Sequence, residues 1–486
     1  MSKKQIVIIV ALLILIALIT ACTVGPDYER PQFFDDTQIE KSLDLKPVTP
    51  KSAAAFSPLD FEDTTLNELM VQALNESPTI RLALVRLRQG RQSLKIAEVQ
   101  GLPTLDASGK YNYANESRNM DTLLRDDYYQ VGLDMTWEID IFGGTRRRTE
   151  AARANLRGAL ESLKNVHVSM SADVANAYIN LRTAEQLLAN AKNNLKIQQE
   201  IYQTVLEKYK AGLTDEITSD QAKYLVETTR MSIPQLEYQR TAAQNALALL
   251  LGKLPGTLNE QLNKEKKNLV QKPFKYNVAT LYELPADVIR SRPDVRASEE
   301  QLIAQNAQVG AAIADMFPKV SLSGLLGFQS IHSNNLLNHS SYTYGYIPQI
   351  SMPIFHFGAL KNNVELQKSI KEEYMINYEQ TLLQAASEIN NAMVALQKEL
   401  ERNKAAKTAY QKMNMVSKLN WDKYKQGLID YSDVLDAEQR RLSAQTQMVN
   451  SNSALYQDIV TFYKSIGGPF NPAVQPSRST YETFQK

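Results

Sequence analysis

Two carboxylates near the end of the chain have the spacing of a charged site. Asp433 and Asp436 are three residues apart, so on a helix they share one face. In a narrow, water-filled passage, a ring of such groups would favour cations. Acidic residues are equally typical of a solvated helix start, where they interact with the helix dipole. The residues alone leave both interpretations open.

Cys22, the only cysteine of the chain, has the surroundings of a lipid-attachment site. A short basic segment precedes an apolar run over residues 6–19, which predicts a signal peptide over residues 1–21. Ile19-Thr20-Ala21-Cys22 resembles the bacterial lipobox. A plain transmembrane anchor is the alternative, but the apolar run is shorter than the roughly 20 residues that span a bilayer. We expect N-acyl and S-diacylglycerol (palmitate) modification of Cys22, and Thr23 after it favours sorting to the outer membrane.

The sequence carries no pattern of catalytic or metal-ligating residues. It has four scattered histidines, His167, His332, His339 and His356. Neither metal-ligand spacing nor a phosphate-binding loop occurs. Asp134, Glu138 and Asp140 alternate as on the wet face of a strand. We therefore expect no enzyme activity, no metal and no cofactor other than the lipid.

Charge and composition give no indication of nucleic-acid binding. The chain has 54 basic and 53 acidic residues, with a net charge of +1. Its one basic cluster, Arg146-Arg147-Arg148, is expected to be the solvated start of a helix. The hydrophobic content of 43%, with little glycine and proline, is typical of a helix-rich chain.

The two halves of the chain repeat each other at a shift of 215 residues without a gap. Turn formers coincide in pairs, among them Pro78/Pro293, Pro103/Pro318, Gly212/Gly427 and Gly252/Gly467. So long a period is not that of a solenoid and predicts a duplicated domain. The predicted segments are an N-terminal lipid-anchored segment at 22–65, repeat 1 at 66–252, a connector at 253–280, repeat 2 at 281–467 and a tail at 468–486.

Each repeat is predicted to hold one β-hairpin, at 103–142 and 318–357. Apolar and polar residues alternate along these segments, from Tyr129 to Ile141 and again from Tyr342 to Ile354. Such strands are typical of a transmembrane barrel around a wet lumen, or of a soluble sheet packed on helices. Four strands cannot close a membrane barrel, whose smallest members have about eight. Two chains would give eight strands and a filled interior, and three would give 12 and a pore.

The hydrophobic period changes to that of a helix after each hairpin, which predicts long helices at 145–209 and 360–424. In the first helix an unbroken heptad seam has only His167 and Gln198 as polar members. The seam of the second helix weakens at Glu399 and Asn403. Shorter helices flank each hairpin and long helix, and Pro234 is expected to kink or break one of them.

The chain resembles the TolC-like outer membrane factors, lipoprotein branch (OprM/NodT type). The resemblance covers nearly the whole mature chain. Its specific stretches are residues 22–31, 284–295 and Asp433-Val434-Leu435-Asp436-Ala437. It implies an α+β membrane protein: a homotrimer whose 12-stranded outer-membrane β-barrel is continuous with a long periplasmic α-helical coiled-coil barrel. The implied function is the exit duct of a tripartite efflux system, multidrug or RND type, or of a type I secretion system.

The resemblance also implies partners and site residues. A periplasmic adaptor protein would contact the tip at Gly212, Leu213, Gly427 and Leu428, and an inner-membrane pump would supply substrates. Asp433 and Asp436 would form the pore constriction, helped by Tyr424, which matches a latch tyrosine. A latch arginine of part of the family is absent, because Ile429 stands at its position.

The alternative is a structural coiled-coil lipoprotein that organises the envelope and conducts nothing. The hairpins separate the two interpretations, because a tether has no use for them.

Overall fold

A computed structural model describes residues 23–35, 63–113, 127–262 and 288–468, together with Gln38, Lys41 and Val270. Cys22, the signal peptide, the first hairpin loop, most of the connector and the tail lie outside the described residues. Within the described part, no helix is both long and apolar enough to cross a membrane.

The elements follow one another twice in the same order. Repeat 1 contains α1 Thr64–Glu76, α2 Pro78–Val99, β1 Thr104–Asn112, β2 Tyr128–Ile139, α3 Gly144–Lys210 and α4 Glu216–Leu250. A short helix, α5 Asn259–Leu262, follows. Repeat 2 contains α6 Val288–Ser291, α7 Pro293–Ala314, β3 Lys319–Ser330, β4 Tyr342–Ser351, α8 Ala359–Lys425 and α9 Tyr431–Ser465. The fold class predicted from the sequence, helical with two hairpins, is confirmed.

The strands form one antiparallel sheet in the order β1-β2-β3-β4. The pairing puts Leu133 of β2 opposite Ala107 on one side and Leu326 on the other, and Leu326 opposite Tyr344. One face is therefore apolar across all four strands. On the other face Asp134 lies opposite Asp106. Because side chains alternate along a strand, the alternation in the sequence specifies this register.

Two strands are shorter than the alternation predicted. β2 ends at Ile139, before the predicted strand residues Asp140 and Ile141. The Asp140 carboxylate instead accepts hydrogen bonds from the backbone N–H groups of Thr145 at 3.1 Å and Arg146 at 2.8 Å. The expectation that Asp140 faces water from a strand is wrong, because this carboxylate satisfies unpaired donors at the start of α3. β4 ends at Ser351, before Pro353, which has no N–H to donate.

The long helices α3 and α8 have 67 residues each, about 100 Å at the usual rise. Most predicted seam residues of α3, such as Leu163, Val174 and Leu181, are buried, whereas Leu160 is 39% exposed. Helix α4 is not broken at Pro234. Glu399 and Asn403, where the second seam weakens, are buried and bonded to Ser451.

The described residues divide into two compact units. One contains the sheet with the described residues of Met1–Gln32, Arg86–Leu160 and Ala297–Gln380. Its helices meet through a small-residue cluster of Ala151, Ala154, Ala304 and Ala307. The other contains the described residues of Phe33–Val85, Glu161–Arg296 and Thr381–Lys486, with the ends of both long helices.

Candidate functional site: the helix tips and the N-terminal strap

The long helices end in the same backbone motif. The N–H of Leu213 donates to the carbonyl of Lys208 at 2.9 Å, and that of Leu428 donates to Lys423 at 3.0 Å. Gly212 and Gly427 precede them with φ of 70° and 75°. This arrangement is the Schellman motif, whose left-handed residue is usually glycine. We call these two turns, residues 211–215 and 426–430, the tip.

The tip exposes two leucines on its outside. Leu213 is 75% exposed and Leu428 is 66% exposed. Large apolar side chains of this kind, presented on rigid turns, are available to a partner protein. The four residues predicted to contact an adaptor therefore lie together in pairs, one pair at each turn.

Inside the tip, four helix ends enclose an aromatic cluster. The buried members of this tip cluster are Val205, Ala222, Tyr424, Tyr431 and Val434. The Tyr424 ring stacks on Trp421 at 5.7 Å between centroids and meets Tyr431 edge-on at 5.5 Å. Ile429, which stands in place of the latch arginine, packs against this cluster. At the position of Ile429, the tip is thus held by apolar packing.

Tyr424 is 7% exposed and has a polar neighbour on each side. Burial raises the pKa of the Tyr424 hydroxyl. The Thr214 side chain lowers this pKa and the negative charge of Asp215 raises it, and the net shift is upward. The ammonium of Lys208 lies 4.3 Å from the centre of its ring. Sequence reasoning found Tyr424 but missed Lys208, Trp421 and Tyr431.

The two predicted constriction carboxylates are exposed on the first turns of α9. The backbone carbonyl of Asp433 accepts a hydrogen bond from the Asn420 side chain at 3.2 Å. Asp436 forms an ion pair with Arg440 at 2.9 Å, with the two side chains 62% and 69% exposed. The ion pair with Arg440 therefore offsets part of the negative charge of Asp436. No such ion pair is seen for Asp433 among the described residues.

A strap of residues 23–30 follows the predicted lipid site. The side chain of Arg147 donates to the carbonyls of Val24 at 3.2 Å and Gly25 at 3.1 Å, and to the carboxylate of Asp27 at 2.8 Å. Arg147 is 5% exposed in its side chain, so the expectation of a solvated basic cluster is wrong for this residue, whereas the side chains of Arg146 and Arg148 are 40% and 37% exposed. A buried guanidinium requires several acceptors, and the strap supplies three of them.

The strap is fixed again farther along. Asn306 donates to the carbonyl of Pro26 at 3.0 Å. Glu299 accepts two hydrogen bonds from Arg30, at 2.5 and 3.0 Å, and one from the Tyr28 hydroxyl at 3.1 Å. The strap that follows Cys22 is thus anchored by side chains distant in the sequence.

Among the described residues, no group of three or more His, Cys, Asp and Glu side chains is placed to hold a metal ion.

The described residues thus contain two β-hairpins and two long helices, and each long helix ends in the same tip turn. A family model described as outer membrane efflux protein matches residues 69–253 and 284–468. The chain belongs to this family. It is an outer-membrane channel of an efflux system, with a helical extension in the periplasm.

Individual relatives align over nearly their full length. The cation efflux system protein CusC of Escherichia coli O6:H1 (strain CFT073) is 27% identical over 93% of this chain and 96% of its own. The solvent efflux pump outer membrane protein SrpC of Pseudomonas putida is 29% identical over 93% and 96%. The structure of the outer-membrane channel OprN matches with a TM-score of 0.81 and 30% identity, covering 93% of this chain and 100% of that one.

Proposed function

We propose that three copies of this chain form a passive, lipid-anchored exit duct that a periplasmic adaptor opens and an inner-membrane pump, of the RND type, supplies. The observation that carries this proposal is the open sheet. Among the residues that the structure describes, β1 and β4 each pair on one side only. Unpaired strand edges are excluded from lipid, so another copy must complete each edge. Three copies give 12 strands and leave room for a pore, whereas two give a filled barrel.

An unpaired helix face supports the same assembly. Ile217, Tyr224, Met231 and Tyr238 recur every seven residues along α4 and are 62–74% exposed. A sustained heptad stripe of large side chains is the seam of a coiled coil whose partner is another helix. In the trimer, the neighbouring copy provides that helix.

The tip is where we place the adaptor and the gate. Leu213 and Leu428 are exposed on rigid turns, which suits contact with the end of an adaptor's helical hairpin. Three copies of Asp433 and Asp436 would line a narrow, cation-selective constriction. Because Arg440 pairs with Asp436, Asp433 contributes more to this selectivity.

The lipid on Cys22 is the remaining part of the proposal. The strap anchored by Arg147 and Glu299 fixes the chain directly after the cysteine, so the acyl groups would be held at a defined place on the protein. The duct performs no catalytic step.

Single-channel conductance in planar bilayers tests the duct. The wild type should give small, cation-selective currents from a heat-modifiable trimer. Asp433→Ala/Asp436→Ala should give larger and less selective currents, and Asp433→Ala alone should account for most of the loss of selectivity. The absence of current from inserted trimers of both proteins would refute the duct.

The lipid requires a separate test. Cys22→Ala behind a cleavable signal peptide should lose palmitate labelling but still form trimers, because the barrel and helices supply the assembly surface. Recovery of monomers alone would contradict this assignment of the assembly surface.

A further inference from the structure

Lys208 connects the two repeats at the tip. It lies in the last turn of α3, in repeat 1, and its ammonium lies 4.3 Å from the centre of the Tyr424 ring, in repeat 2. The same nitrogen lies 3.4 Å from the backbone carbonyl oxygen of Tyr424. That carbonyl also accepts the N–H of Gly427 at 3.0 Å, which is part of the helix-ending motif. One cation therefore contacts both the ring and the cap of α8.

The arrangement is not duplicated along with the repeat. At a shift of 215 residues, Trp421, Tyr424 and Tyr431 correspond to Leu206, Tyr209 and Glu216. Tyr209 is 38% exposed, whereas Tyr424 is 7% exposed. The counterpart of Lys208 is Lys423, which is exposed. Capping requires only the two glycines, so capping does not explain why a lysine and three aromatic rings meet at one tip turn.

The physical role of this contact is to join the end of α3 to the end of α8. A lysine over a tyrosine face is attracted by the ring quadrupole, more strongly as water is excluded. The stacked Trp421 and the edge of Tyr431 fix the ring in place, so the ammonium binds a rigid target. The contact is lost if the ends of α3 and α8 separate.

We propose that Lys208 is a positioning residue of the gate, which holds the end of α3 against Tyr424 while the duct is closed. The proposal rests on the duct function proposed above. A partly buried cation–π contact is worth ~1 kcal/mol, or about fivefold in an equilibrium constant. If the three subunits open together, the closed-to-open ratio should change by about 100-fold.

Three variants isolate the contact. Lys208→Met keeps the length and apolar stem of the side chain but removes the charge. Lys208→Arg keeps the cation and its donors. Lys423→Met is the matched control, since it removes the corresponding, exposed lysine from the other repeat. None of these replacements alters the glycine turns.

In planar bilayers, Lys208→Met should increase the fraction of time that the channel is open, by about fivefold to 100-fold. Lys208→Arg should restore gating to within about twofold of the wild type, and Lys423→Met should not alter it. The melting temperature of the trimer should stay within about 2–4 °C of the wild type for all three, because the contact is worth only ~1 kcal/mol. Gating of Lys208→Met equal to that of the wild type or of Lys423→Met would overturn the proposal.

Fluorescence gives a readout that is independent of conduction. The chain has two tryptophans, so in a Trp137→Phe background the emission reports on Trp421 alone. Lys208→Met should shift this emission, and Lys423→Met should leave it unchanged. If conducting wild-type channels are found while Lys208→Met changes neither gating nor emission, the Lys208 proposal fails and the duct stands. If inserted trimers of the wild type and of Asp433→Ala/Asp436→Ala never conduct, both fail.

Discussion

A buried ion pair on α9 gives the sharpest stability prediction. Arg441 and Glu438 are 9% and 7% exposed in their side chains. The guanidinium donates to both carboxylate oxygens, at 2.6 and 2.8 Å, and to the side-chain oxygen of Asn194 at 3.0 Å. Ser417 donates to the carboxylate at 2.8 Å. The pair thus joins α9 to α3 and to α8.

Electrostatics within the pair are favourable despite the burial. Burial lowers the pKa of Arg441, but hydrogen bonding and attraction to Glu438 raise it, and the net shift is upward. Arg441→Met removes the cation. Of the donors named above, the buried carboxylate of Glu438 then keeps only the Ser417 hydroxyl. Breaking a buried pair from one side costs about 3–5 kcal/mol of unfolding free energy.

The double variant distinguishes the loss of one charge of the pair from the loss of both. Glu438→Leu/Arg441→Met removes both charges, and such replacements are often neutral or stabilising. We expect it to be more stable than Arg441→Met by at least about 2 kcal/mol. Arg440→Met is the matched control, since Arg440 is 69% exposed and pairs with an exposed carboxylate, which contributes at most about 1 kcal/mol.

Urea unfolding of the detergent-solubilised protein, followed by helical circular dichroism and tryptophan emission, measures these differences. The reasoning is refuted if Arg441→Met costs no more than Arg440→Met. It is equally refuted if the double variant is as unstable as Arg441→Met, because the loss would then come from packing and not from an unpaired charge.

Three further predictions use the same unfolding assay. Gly212→Ala should lose about 1–2 kcal/mol, because φ is 70° and an added Cβ meets nothing within 4 Å, so only backbone strain remains. Burial lowers the pKa of His167 from 6.5 to about 4, so stability should be full above pH 6.5 and fall as the pH drops towards 4; His167→Phe should abolish this decline. Burial and the nearby Glu399 raise the pKa of Asp458 to about 6. The contribution of Asp458 to the unfolding free energy is therefore favourable at low pH and is lost as the pH rises through 6. Asp458→Asn should be more stable than the wild type at pH 7.5 and equal to it at pH 4.

Much of the frame can be predicted from the sequence because local rules specify it. A glycine that ends a helix requires only its own backbone angle, and the described part of the chain has four such turns, at Gly212, Gly252, Gly427 and Gly467. Strand register follows from a period of two, and the long helices follow from the heptad seam. None of these features depends on which distant residues come together.

The charged contacts could not be predicted in this way. A polar residue in a pattern is assigned to solvent, and this rule fails for Arg147, which is buried by a strap more than 100 residues away in the sequence. It fails likewise for Arg441 and Asn194, on different helices. The sequence gives one indication at Arg147. Three adjacent arginines at the start of a helix interact unfavourably with the helix dipole, so they require acceptors.

The duplication supplies the frame, and the two repeats differ in their buried polar side chains. Glu399 and Glu438 of repeat 2 stand where repeat 1 has Ala184 and Lys223, and both glutamates are buried. Apolar seams tolerate small shifts, whereas a buried polar group is stable only with its partners in place. Helices α8 and α9 are therefore held in one register by side chains that repeat 1 lacks. The three aromatic rings of the tip, Trp421, Tyr424 and Tyr431, and both carboxylates proposed for the constriction lie on this same pair of helices. The position of the proposed gate would therefore depend on polar contacts that the duplication did not provide.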